Sequence, residues 1–93
     1  MTFMMRVEHD LADVERAVVR LLRRYTVCQQ INAAPLPLLT ELGSELGIAA
    51  PPVVALASVF QLTEACLGRP LIAECCCSPS TSTDERALLL LLT

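Results

Sequence analysis

Three consecutive cysteines, Cys75, Cys76 and Cys77, are the residues of this 93-residue chain best equipped for chemistry. Thiolates are nucleophiles and soft-metal ligands. Together with Cys66, the run carries enough sulfur for a Cu(I) or Zn site. The spacing argues the other way. Zinc sites present cysteines about two to four residues apart, so that both thiolates converge on one tetrahedral ion. Adjacent cysteines diverge by ~100° on a helix, and on a strand only Cys75 and Cys77 share a face. His9, the single histidine, is remote in sequence. Cysteine also serves as a small apolar side chain. The expectation is therefore structural: at least one of the three packs under the last helix, where burial raises its thiol pKa and slows its reactions. No cofactor is expected. The competing reading is a thiolate metal or redox site built on Cys66, Cys75, Cys76 and Cys77.

A second constellation is basic. Arg16, Arg20 and Arg24 recur at i, i+4 and i+8, with Arg23 beside them. Such a stripe can bind anions or phosphates. It can equally complement a helix dipole and pair with acids from elsewhere in the fold, and that reading is preferred. Catalysis finds no support: there is no Ser-His-acid order, no nucleotide-binding glycine loop and no close carboxylate pair. The chain is not expected to be an enzyme.

The elements that must position these residues are helical. Val7, Leu11, Val14, Val18, Leu21, Tyr25 and Cys28 alternate steps of four and three, which predicts a helix from about Glu8 to about Gln29. Its acids, Glu8, Asp10, Asp13 and Glu15, precede its arginines, an order that suits the dipole. Asn32-Ala-Ala-Pro35-Leu-Pro37 breaks it. A second helix is expected from about Pro37 to Leu46, with Leu38, Leu39, Leu42 and Leu46 on one face and Gly47 as its left-handed stop. A third runs from about Pro52 to Leu67, apolar on most faces through Phe60, ended by Gly68 and Pro70. Residues 71–77 read as either a short extended segment or a helical turn. Ser82-Thr-Asp-Glu85 is a capping box that opens a last helix, Thr83 to Leu92.

Composition agrees with one all-α domain, residues 1–93, built as a compact bundle of about four helices. The apolar share is 54%, with no Trp, one Tyr and two Phe, so the core must be aliphatic and platforms for stacking bases are few. All seven basic residues are Arg and the net charge is −3, which disfavours broad phosphate binding. The start of the chain lacks the order of a signal peptide. The richest apolar runs, 53–60 and 87–92, are shorter than the ~18–20 residues of a span. Five cysteines do not close into pairs. The expectation is a cytoplasmic protein with no membrane segment.

Leu42, Gly43, Leu46, Gly47, Ile48, Val53 and Leu56 fall where a helix-turn-helix needs apolar, small and turn residues. DNA reading is another matter. Ala49, Ala50, Pro51, Pro52, Val54 and Ala55 occupy the would-be reading positions, and none has a side-chain donor for a base edge. No sequence-specific DNA binding is expected, and a nonspecific nucleic-acid binder using the Arg stripe is the weakest alternative. The Cys-Cys-Cys-Ser-Pro run, followed by Thr83-Asp-Glu85 and Leu88-Leu89, together with Leu22-Arg-Arg-Tyr25, resembles a family of small bacterial helical proteins of unknown function. That resemblance implies no activity; it implies only that the cysteine run has a purpose. The composite expectation is a homodimeric interaction or regulatory module, open to a further protein partner. Val54, Phe60, Leu88, Leu91 and Leu92 are its interface candidates, and Phe60→Glu is expected to weaken the dimer.

Overall fold

The computed structural model describes residues 2–75 and 78–92, and the side chains of 13–75 and 78–91. Four helices follow one another: α1 (Thr2–Gln30), α2 (Pro35–Glu45), α3 (Ala50–Leu67) and α4 (Thr83–Leu92). Among the described residues there is no strand, and 71–75 form neither helix nor strand. This is a small all-α bundle. At ~1.5 Å per residue, α1 is ~44 Å long. It sets the longest dimension of the molecule, 46 Å against 26 and 24 Å.

The helices begin and end for identifiable reasons. α1 starts six residues earlier than the apolar stripe predicts. Residues 2–7 contain neither Pro nor Gly, so nothing opposes extension, and each added residue gains a backbone hydrogen bond. Its first turn then holds no acid and its last turn no base. The acids still precede Arg16–Arg24, but both sets lie inside the helix and outside its terminal turns, where the dipole acts most strongly. Asn32 stops α1 with φ 57°. The Ala33 amide donates to the Cys28 carbonyl and the Asn32 amide to that of Gln29, a Schellman closure with Asn in glycine's usual place. α2 opens on Pro35 and α3 carries Pro51 and Pro52 in its first turn, where the missing N–H has no helical partner to lose. α2 closes on Gly47 (φ 78°) with the same double bond pattern, Ile48 to Gly43 and Gly47 to Ser44. Gly68 ends α3 in the left-handed region, its amide donating to the Glu64 carbonyl.

The core gathers Leu21, Leu22 and Tyr25 of α1, Leu39 and Leu42 of α2, Val53, Ala57 and Phe60 of α3, then Leu71 and Leu88. The Tyr25 and Phe60 rings meet at 5.3 Å in a tilted pair. α2 and α3 form the close helix-turn-helix-like crossing that the small residue at 43 suggests. A Cβ added to Gly43 would lie 2.5 Å from Val53 Cγ2, so only glycine lets the helices approach this far.

α3 is long and apolar enough, by length and composition, to cross a membrane. The apolar character thus extends past Phe60, where the 53–60 run ends, to Leu67. Within the fold, Val53, Ala57 and Phe60 of α3 are buried in the core.

Candidate functional site

Two buried or half-buried carboxylates tie the molecule together, and they define which surfaces remain available. The first is Glu85, only 1% exposed. Its box with Ser82 closes as the sequence predicts: Ser82 N–H donates to Glu85 Oε1 at 2.8 Å, and Glu85 N–H donates to Ser82 Oγ at 3.1 Å. The same carboxylate accepts Arg23 Nε at 2.8 Å and the Glu74 amide at 3.3 Å. Arg23, 7% exposed, spends its other nitrogens on the Ser78 and Ser80 carbonyls at 3.1 and 2.8 Å. Burial alone would raise the Glu85 carboxyl. The Arg23 guanidinium and the Ser82 amide outweigh it and hold the group below the usual carboxylate range.

The second is Glu64, the one charged residue of α3. Its Oε1 accepts Tyr25 Oη at 2.8 Å and Gln29 Nε2 at 2.9 Å, and its Oε2 accepts the Leu71 amide at 2.8 Å. Burial first, and the Glu64 carboxylate second, push the Tyr25 phenol well above its ordinary value. A third, more exposed clamp joins Arg69 to Asp84 through two bonds of 2.7 and 2.9 Å. Asp84 also accepts the Ile72 amide, and Arg69 holds the Asp84 carboxyl below its usual range.

These contacts place the sequence-derived candidates. Arg23 leaves the anion-binding set, because its charge is buried and already matched by Glu85. Arg16, Arg20 and Arg24 are exposed. Cys66 and Cys75 are exposed, and Cys28 is buried. Cys76 and Cys77 lie outside the described residues, so the expectation that one of the three packs under α4 is left standing on those two alone. The bridge from α3 to α4 fills the core with Leu71. Its course is fixed by backbone amides bonded to Glu64, Asp84 and Glu85. Among the described residues, no three His, Cys, Asp or Glu side chains gather closely enough to hold a metal ion.

The interface candidates divide. Phe60 and Leu88 are core residues, 0% and 2% exposed, and belong to the hydrophobic core cluster. A charge at Phe60 would break the core and cannot report on association. Val54 and Leu91 are exposed, Leu91 by 75%, while the Leu92 side chain lies outside the described set. The first turn of α3 presents Ala50, Pro51, Pro52, Val54 and Ala55 to solvent, a surface without side-chain donors.

α3 carries two apolar stripes with heptad steps. Val53, Ala57 and Phe60, continued by Glu64, face the bundle. Pro52, Ala55, Val59, Leu62 and Cys66 form the other. Val59 is half-buried, and the rest are exposed, Leu62 by 66%. The second stripe is not legible in the sequence, because a helix apolar on most faces hides its own periodicity. Glu85 is legible as the capping-box acid, and Glu64 as a lone charge in an apolar helix, which needs a partner. The partners, however, sit 39 and 62 residues away. No protein-family model, no curated protein and no solved structure matches this chain.

Proposed function

We propose that this chain is a helical interaction module that works as a homodimer, with the outer stripe of α3 packed against its counterpart in a second copy. The observation that supports this is the stripe itself. Pro52, Ala55, Val59, Leu62 and Cys66 alternate steps of three and four, the spacing by which two helices seat side chains between one another. Three of the eighteen residues of α3 are buried within the chain, although the helix is apolar enough for a membrane. In this reading the protein acts in the cytoplasm, where free Cys28, Cys66 and Cys75 stay reduced.

Timed alkylation of reduced protein tests the stripe. Cys66 lies on it and Cys75 does not. Labelling of Cys66 should slow as protein concentration rises, while labelling of Cys75 stays constant. Equal rates for Cys66 at all concentrations would remove this function.

A further inference from the structure

We infer that the outer face of α1 is a docking ridge for an acidic amphipathic helix of a partner protein. Arg16, Arg20 and Arg24 stand on successive turns and span ~12 Å along the axis. Like charges at this spacing repel, and a fold with ten acids and seven arginines has the means to relieve them. It does so elsewhere. Arg23, Arg69 and Arg86 each donate to a side-chain oxygen. Among the described residues, Arg16, Arg20 and Arg24 form no hydrogen bond or ion pair. Glu15, beside them in sequence, does not pair with them either.

Two clefts adjoin the ridge and share Arg20 and Arg23 in their walls. One, of about 360 Å³, lies beside Arg16 and Arg20 and has Val19, Pro79 and Leu89 in its walls. The other, of about 350 Å³, lies beside Arg20 and Arg24 and contains Val27 and Leu42. The ridge therefore combines free positive charge with apolar seats beside it.

This pattern selects a class of ligand. Charges strung along ~12 Å do not converge on a single phosphate. They match a partner that repeats negative charge every ~6 Å, the rise between carboxylates at i, i+4 and i+8 of a helix. Apolar side chains flanking those carboxylates would enter the clefts, the helix-in-groove mode. Nucleic acid fits less well. The described aromatics, Tyr25 and Phe60, are buried, so among the described residues no base-stacking platform adjoins the ridge. The ridge lies on α1 and does not depend on the α3 stripe.

The test is fluorescence anisotropy with a labelled helical peptide carrying Glu at i, i+4 and i+8 and Leu on the flanking positions, added to the full chain. Binding that weakens with salt is expected. The Arg16→Ala/Arg20→Ala variant should bind about tenfold more weakly. Its melting temperature should be unchanged, since both residues are exposed. Leu62→Glu should leave peptide affinity intact. A peptide of the same composition with the Glu register scrambled should bind several-fold more weakly. The inference is overturned by absence of binding at low salt, by equal affinity for the scrambled peptide, or by a single-stranded oligonucleotide that binds more tightly than the peptide.

Discussion

The seam between α1, the 71–82 segment and α4 differs in kind from the outer face of α3. The seam is polar, largely buried and saturated: the Arg23, Glu85 and Ser82 side chains and five backbone groups, at 74, 78, 80, 82 and 85, satisfy one another. The α3 face is apolar and mostly exposed, with Val59 alone of its stripe packed against the core. Polar groups at the seam fix one geometry, because a buried charge that loses its mate is costly. The apolar face fixes nothing internally and is free to take a second copy. Stability should therefore respond to the first region and association to the second.

Breaking the seam is expected to have the largest effect. Arg23→Ala leaves the Glu85 carboxylate buried and unpaired, which should cost about 3–5 kcal/mol. A thermal melt followed by circular dichroism would show it. A loss below about 1 kcal/mol would mean that the pair is far better solvated than its geometry indicates.

Next comes the α2–α3 crossing. Gly43→Ala places a methyl against Val53 and should cost about 1–3 kcal/mol. Val53→Ala in the same chain should recover part of that loss, because it removes the clashing methyls. Simple addition of the two losses would contradict a direct contact.

Acid should act through the same seam. The folded pKa of Glu85 lies below its unfolded value. The stability it contributes is therefore complete above the unfolded value, near 4.5, and is lost as pH falls through the lower folded one. Asp84, also lowered, adds to the loss. Glu85→Gln should flatten the fall in melting temperature below that pH. An unchanged slope would assign acid sensitivity to other carboxylates.

Much of this architecture was legible in the sequence because it is local. Gly47, Gly68 and the prolines mark helix ends through backbone rules that act within a few residues, and the Ser82–Glu85 box acts across a single turn. The parts that were not legible depend on distance. Arg23 reads as a solvent-facing member of a stripe until Glu85 arrives from 62 residues away. Phe60 reads as an interface residue because apolar periodicity cannot say which of two stripes faces inward. The early start of α1 was missed for another reason: residues 2–7 lack breakers but also lack a strong apolar pattern.

The smallest expected effect on stability is the one that tests the central claim. Leu62→Glu alters an exposed side chain and should change the stability of the single chain by no more than about 0.5 kcal/mol. Sedimentation equilibrium of the reduced protein, unaltered and with Leu62→Glu, is the direct measurement. The unaltered chain should sediment at twice 10.1 kDa at micromolar and higher concentrations, and the variant at the single-chain mass with its helicity intact. An unaltered protein that remains at the single-chain mass throughout that range would contradict the account.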